Sequence, residues 1–241
     1  MMRIRLSTRR RTLFAALFVL AVVAFLPMRL ALGWAGLDSQ GFSAREVTGS
    51  LWSGRLLEAR FGDIALGDLD AGVSPFALLI GRARVALEGQ SADPAQRLSG
   101  TIELSRNRAA VLHADGPLPA GAAFAPLPVT GLDLDDVSVR FVDGACESAE
   151  GRVHASLAGG YLGQPLPGSV SGNARCDAGA LLLPLRSAAG VEGVALRLWP
   201  DGRYRAELTL VPGDPVVAQR LDAGGFVANG ASRMLAVEGR F

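Results

Sequence analysis

The chain has 241 residues, 49% of them hydrophobic, so it can bury a sizeable core and is not expected to be disordered. Its 30 glycines and 13 prolines argue against an all-helical bundle. All 24 basic residues are arginine, and after Arg29 there are 18 of them against 23 acidic residues, a net charge of about −5 that excludes a basic nucleic-acid-binding body.

The N-terminal segment has the pattern of a membrane signal. Five arginines precede residue 12, an uninterrupted apolar run covers residues 13–26, and a second uncharged stretch follows Arg29. A helix needs roughly 17 to 25 residues to cross the hydrocarbon core, a length available if the Arg29 side chain extends to the far interface. The sequence therefore predicts one transmembrane signal anchor over residues 13–36.

The arginines also predict the orientation. Because basic residues stay on the cytoplasmic side, residues 1–12 are expected to form a basic cytoplasmic N-terminus and residues 37–241 an exported body. The alternative is a cleaved signal peptide, for which Ala31, Gly33 and Ala35 supply small residues at suitable spacing. Both interpretations export the body.

Beyond residue 42 the apolar residues recur at every second position, which is typical of strands with one buried face. About a dozen strands are predicted, separated by Gly-Asp, Asp-Gly and Pro-Gly turns in the order of a meander. They are expected at 45–49, 51–61, 63–66, 69–73, 82–87, 102–104, 109–114, 137–141, 153–157, 169–176, 191–199, 204–210 and 234–240. The predicted fold is mainly β, an extended, curved antiparallel sheet preceded by one N-terminal transmembrane helix.

Three other features complete the prediction. Short helices are expected over 74–80 and 215–222, each opened by a proline. Residues 113–130 contain four prolines and are expected to form a long loop or to interrupt the sheet. Gly-containing alternations recur at 98–105, 170–177 and 235–241, which favours a curved sheet over a compact barrel.

The two cysteines, Cys146 and Cys176, both lie in the exported part and predict a structural disulfide. Two buried free thiols are the alternative. Two cysteines and the two distant histidines, His113 and His154, make a poor zinc site, so neither a metal nor a cofactor is expected.

Motifs of catalysis are missing from the sequence, since it contains no HExxH, P-loop, GxSxG or CxxC pattern. Both histidines are expected to be structural, and Asp133, Asp135 and Asp136 to lie at a solvated strand edge or turn. No catalytic residue is assigned. An exported enzyme remains an alternative that would need convergent titratable groups.

The most informative segment is Val47 to Gly54, with the sequence VTGSLWSG, which is followed by SPFALLIGR at 74–82. A tryptophan flanked by glycines can pack its ring where the neighbouring backbone carries no side chain. Gly49, Leu51, Trp52 and Gly54 are therefore predicted to be structural, with Trp52 as a core aromatic at the end of the sheet.

Taken together, the basic start, the single membrane segment, the G-(S/T)-L-W-x-G strand, the SPFALLIGR turn and the late cysteine pair resemble the protein N family of the bacterial type II secretion system. The C-terminal LAVEGRF is also similar to AsmA-like periplasmic proteins. The resemblance implies a non-catalytic accessory component, a single-pass protein of the bacterial inner membrane. Its residues 37–241 would form a periplasmic β-rich domain that contacts inner-membrane protein C and the outer-membrane secretin. The alternative that the resemblance implies is a lipid-handling or envelope-maintenance protein with an apolar trough.

Overall fold

Four helices and eighteen strands make up the described part of the chain, residues 8–36, 41–93, 96–121 and 123–240 of a computed structural model. The helices are α1 (Thr8–Ala24), α2 (Met28–Ala35), α3 (Pro75–Leu79) and α4 (Pro215–Ala223). The strands are β1 (Phe42–Ser43), β2 (Glu46–Ser50), β3 (Ser53–Phe61), β4 (Ile64–Val73), β5 (Ala83–Gly89), β6 (Ser99–Leu104), β7 (Arg108–Pro119), β8 (Val129–Val142), β9 (Ala145–Leu157), β10 (Gly160–Tyr161), β11 (Gln164–Pro165), β12 (Ser169–Asn173), β13 (Arg175–Asp177), β14 (Ala180–Arg186), β15 (Gly193–Leu198), β16 (Arg203–Leu210), β17 (Val227–Asn229) and β18 (Ser232–Arg240).

One 16-stranded antiparallel sheet contains all of these strands except β10 and β11, which pair with each other. Strands that neighbour in sequence also neighbour in the sheet almost throughout, so the predicted mainly β, antiparallel meander is confirmed. Because successive strands reverse direction, the β2–β3 turn, the β4–β5 connection with α3 and the β6–β7 turn lie at one end of the sheet. We call this the helix end, since α1 and α2 contact it. The far end carries α4.

Two differences between the predicted and the observed strands have physical explanations. Strand β14 is buried on both faces, so its sequence ALLLPLR shows no alternation. Residues 113–119, expected in a loop, instead extend β7, and only 120–128 form a connection. Pro117 and Pro119 are tolerated there because β6 pairs with β7 only as far as Asp115, which leaves that stretch with one neighbour.

Three strands contain bulges at residues with left-handed backbone conformation. Glu58, His113 and Asp136 have φ values of 49°, 48° and 48° and coincide with shifts of register between β3 and β4, β7 and β8, and β8 and β9. A bulge bends its strand and increases the local twist. The long strands of the sheet therefore deviate from straight at these positions.

The larger of two hydrophobic clusters lies under the C-terminal half of the sheet. The 120–128 connection and α4 cover one face there with Phe124 and Leu221, and Phe124 packs edge-on against Tyr204 with ring centroids 5.5 Å apart. The Tyr204 hydroxyl donates to the Ala123 carbonyl over 2.7 Å. The cavity between this cover and the sheet measures about 10 Å³, no more than the space of one water molecule.

The smaller cluster lies in the N-terminal half. It consists of five buried residues, Met28 from α2 together with Leu56, Ala59, Leu69 and Ala71 from β3 and β4. This part of the sheet is therefore covered by α2 and not by a loop of the sheet itself.

The segment predicted as one helix over 13–36 is divided in two. Helix α1 ends at Ala24 and α2 begins at Met28, because Pro27 lacks an N–H and disfavours helical backbone at the residue before it. Met28 is then drawn into the smaller cluster, where its side chain is 3% exposed. Within the described residues, none of the helices has the length and apolar character needed to span a bilayer.

A disulfide joins Cys146 at the start of β9 to Cys176 in β13, with the two Cα atoms 5.5 Å apart. This is the pairing that the sequence predicts. Cys176 pairs with Leu181 of β14, so the bond ties β9 to the β13–β14 hairpin.

Candidate functional site at the helix–sheet junction

The four residues singled out in VTGSLWSG lie together on the hairpin of β2 and β3. Ser50 pairs with Ser53, so Leu51 and Trp52 form a two-residue turn. The sequence placed both residues in a strand, and that assignment is wrong. The turn is possible because Gly49, at φ 85°, adopts a conformation that side chains disfavour, and a Cβ there would lie 2.6 Å from the Ser53 carbonyl oxygen.

The Trp52 ring contacts the end of α1. Its Nε1–H donates to the carbonyls of Val23 and Ala24 at 3.0 and 3.1 Å. These carbonyls belong to the last turn of α1, where carbonyl oxygens lack the usual helical donor four residues on, and Val23 also accepts from the Leu26 N–H over 3.3 Å. Trp52 is half-buried, so it acts as a side-chain cap for α1 and not as the core aromatic predicted from the sequence.

The backbone of the same turn binds the linker between the two helices. The Leu51 N–H donates to the Leu26 carbonyl over 2.9 Å, and Pro27 forms an isolated bridge with Ser50. On the other side, the Val73 N–H at the end of β4 donates to the Leu51 carbonyl over 3.0 Å. The turn therefore connects α1, the α1–α2 linker and the strand that leads into α3.

Gly54 explains why the motif ends in glycine. A Cβ at this position would overlap the Met28 sulfur and lie 3.1 Å from the carbonyl oxygens of Thr48 and Ser50. The buried Met28 side chain occupies the space that a side chain at position 54 would need. Gly49 shapes the turn and Gly54 admits the first residue of α2, so the motif as a whole forms the attachment point of the N-terminal helices. We call it the junction.

The partners of this motif, Met28 and the backbone carbonyls at the end of α1, were not predicted from the sequence. Pro27 was the available signal of a break between two helices. A glycine facing inward in a strand was the signal that another element approaches closely.

Groups suited to catalysis do not converge on the junction. The described residues contain no cluster of three or more His, Cys, Asp or Glu side chains that could hold a metal. The pKa of Asp201 is lowered because the Arg203 side chain and backbone N–H donate to it, but this pair lies in the exposed turn between β15 and β16.

One contact missed by the sequence resembles part of a catalytic triad. The His113 ring nitrogen Nδ1 lies 2.7 Å from the Asp136 carboxylate, and the Ser138 hydroxyl is nearby. That hydroxyl, however, accepts from the backbone N–H of His113 over 3.0 Å, and the His113 and Asp136 side chains are largely solvent-exposed. The arrangement secures two bulged strands and places no nucleophile in a cleft.

Comparison with known proteins points to one family. The family described as type II secretion system, protein N matches residues 40–232, which cover the junction hairpin, α3, α4 and nearly all of the sheet. The chain is 28% identical over 217 residues to the type II secretion system protein N of Vibrio cholerae serotype O1 (strain ATCC 39315 / El Tor Inaba N16961), an alignment covering 83% of this chain and 84% of that protein. No solved structure matches the chain. With its glycine–tryptophan hairpin and most of its length inside this match, the chain belongs to the type II secretion system protein N family.

Proposed function

We propose that this protein is a non-catalytic accessory component of the type II secretion machinery. Its N-terminal helices attach it to the inner membrane, and its β-rich domain stands in the periplasm and contacts other components. The observation that carries the proposal is the family match over residues 40–232, which spans nearly the entire sheet and not one short motif.

The surface of α1 supports membrane attachment. Leu13, Phe14, Leu17 and Phe18 are all more than half exposed, so one turn after another presents large apolar side chains that no protein element covers. Lipid is the medium in which such a surface is stable. The five arginines before residue 12 assign the start of the chain to the cytoplasm.

The junction refines the proposed domain limits. We assign α1 to the bilayer and α2 to its periplasmic surface, because Met28 at the start of α2 is also part of the core of the β-rich domain. Alkaline phosphatase fused after Phe42 should be active and should fractionate with membranes. Recovery of soluble periplasmic protein starting near Trp34 or Gly36 would instead support a cleaved signal peptide.

The sheet edges are the proposed contact surfaces for partners, for which the family resemblance suggests inner-membrane protein C and the secretin. Strands β1 and β2 border the sheet on one side and the three-residue β17 on the other. A sheet edge offers unpaired backbone groups to an added strand.

Filled packing argues against the alternative of an apolar lipid trough. Under the C-terminal half of the sheet, Phe124 and Leu221 are buried in the larger cluster, and the cavity that Phe124 lines there measures about 10 Å³, too small for an acyl chain. This packing favours a domain that binds through its surface.

A deletion strain tests the proposed function. Loss of exoprotein release with an intact outer membrane, restored by the wild-type gene, is the expected result. Normal exoprotein release together with detergent sensitivity of the outer membrane would reject the secretion role and favour a role in lipid handling or envelope maintenance.

A further inference from the structure

We propose that α3 is a second membrane contact, which inserts its apolar side chains into the periplasmic leaflet of the membrane that holds α1 while neighbouring arginines bind lipid phosphates. The proposal builds on the membrane attachment proposed above and adds a specific surface and ligand. Neither the strand pattern nor the junction requires α3 to be apolar.

The exposed side chains of α3 are the first observation. Phe76, Leu79 and Ile80 are 80%, 83% and 70% exposed, and none of the residues of α3 is buried. A cluster of large apolar side chains with so little protein cover is uncommon on a surface that faces only water. No charged residue lies between Asp70 and Arg82, so the segment can enter an apolar layer without carrying a charge into it.

The position of α3 beside the anchor is the second observation. The end of β4 leads directly into α3, and the Val73 N–H donates to Leu51 in the turn whose Trp52 side chain caps α1. Phe25, just beyond α1, and Trp34 on α2 are 81% and 76% exposed, and Leu26, next to Phe25, accepts from the Leu51 N–H in the same turn. The end of α1 and the start of α3 therefore meet at one turn of the sheet, where a bilayer around α1 can reach α3.

The third observation is a cleft of about 330 Å³ next to α3, lined by Arg82, Arg108 and Arg140 together with Glu103 and Glu147. Glu103 is paired with Arg84 at 3.3 Å. The side chains of the three lining arginines form no ion pair or hydrogen bond within the part of the chain that the structure describes, so the cleft has excess positive charge. Guanidinium groups at the border of an inserted apolar segment match the phosphates of an anionic leaflet.

A lipid occupant explains all three observations together. A protein helix docked on α3 would account for the apolar side chains, but it gives no reason for unpaired arginines beside them. The interfacial pattern of exposed Phe and Trp with nearby arginine is the one that amphipathic membrane contacts share.

The test uses the full chain with its disulfide intact, so that one introduced cysteine can carry an environment-sensitive fluorophore. We would label Leu79→Cys and, as a matched control, Val216→Cys on α4, which is also exposed and follows a helix-opening proline but lies at the far end. Phe18→Cys reports on α1. Each protein is reconstituted into phosphatidylethanolamine–phosphatidylglycerol vesicles with and without spin-labelled acyl chains.

The expected result is a blue shift and strong quenching at position 79 and none at position 216. A probe at position 79 that stays water-exposed while position 18 is quenched would overturn the α3 contact and leave the anchor intact. Quenching at position 79 without quenching at position 18 would reject the anchor and keep the contact. A shift at position 79 that requires a second secretion protein or a high concentration of this chain would identify a protein occupant and overturn the lipid.

The arginines are tested in the same assay. Replacing phosphatidylglycerol by phosphatidylcholine should reduce quenching at position 79, and the Arg108→Gln/Arg140→Gln variant should lose this dependence on anionic lipid. Quenching that depends on anionic lipid equally in both proteins would show that the cleft does not bind the headgroups.

Discussion

At the scale of single residues, Gly54 and Met28 form one unit. The buried Met28 sulfur fills the space of the absent Gly54 side chain. We expect Gly54→Ala to lower the free energy of unfolding by about 1–3 kcal/mol, because the added methyl group overpacks the smaller cluster. Thermal or urea denaturation of the full chain measures this change.

A matched control and a second-site variant identify the cause. Gly213→Ala adds a methyl group where no atom lies within 4 Å, so its effect should stay within about 0.5 kcal/mol. In a Met28→Ala background, Gly54→Ala should cost clearly less than in the wild type. Strictly additive effects would show that the two side chains do not share the space.

Trp52 yields the second prediction at this scale. Trp52→Phe keeps an aromatic ring but removes the N–H that donates to Val23 and Ala24, which should lower stability by about 0.5–1.5 kcal/mol. The end of α1 should then open more often, and chymotrypsin should cleave faster after the exposed Phe25. Trp199→Phe, which changes a half-buried tryptophan at the start of the turn between β15 and β16, should leave that cleavage unchanged. Equal rates in wild type and Trp52→Phe would mean that the indole does not hold the helix end.

These residues also mark how far sequence reasoning reached. The glycine–tryptophan pattern was sufficient to single out Gly49, Leu51, Trp52 and Gly54 as structural residues, but it did not predict that the N-terminal helices attach there. It gave the wrong environment for Trp52, since the partners of the ring are backbone carbonyls, which no sequence pattern reveals. The helix break was missed because the apolar content of residues 13–36 outweighed Pro27 in the prediction.

At the scale of elements, α3 and α4 both begin with a proline but differ in their N-terminal capping. The Asp214 carboxylate accepts from the N–H groups of Val216 and Val217 at 2.8 Å, whereas the side chain of Ser74 makes no capping bond. Asp214→Ala should therefore reduce stability by about 1 kcal/mol, and Ser74→Ala should have little effect. Equal melting temperatures for the two variants would contradict this assignment.

Strands show which sequence signals are dependable. Alternating strands such as β5 and β16 were found because successive residues alternate between a more buried and a more exposed face. Strand β14 shows no such alternation, because it is buried on both faces. The extension of β7 was not predicted because it contains prolines, which a strand tolerates where, as here, it has lost one of its two neighbouring strands. The missing information in both cases is which strands lie on either side, a property of the assembled sheet.

At the scale of the whole molecule, the Cys146–Cys176 bond closes a loop with a sequence separation of 30. In the chain-entropy model it contributes roughly 3–4 kcal/mol. We expect Cys146→Ser/Cys176→Ser to melt at lower temperature, and reductant to destabilise the wild type but not the variant. Stoichiometric labelling of both thiols in freshly purified, unreduced wild type would show that the bond is absent.

The two hydrophobic clusters imply that stability is uneven along the sheet. The smaller one has only five buried residues, two of them alanine, and depends on Met28 from outside the sheet, whereas the larger one is closed by α4 and the 120–128 connection. Local opening should therefore require less free energy in β2–β4 than in β14–β16.

Hydrogen exchange of the full chain tests this difference. Amides of β3 and β4 outside the bulge at Glu58 should exchange faster than those of β15 and β16, although both pairs are antiparallel ladders. Gly54→Ala should accelerate exchange further in β2–β4 and leave β14–β16 unchanged, because the overlap with Met28 is confined to the smaller cluster. If exchange rises equally in both regions, the 16-stranded sheet opens as one cooperative unit, and the junction then stabilises the whole domain and not only the N-terminal half of the sheet.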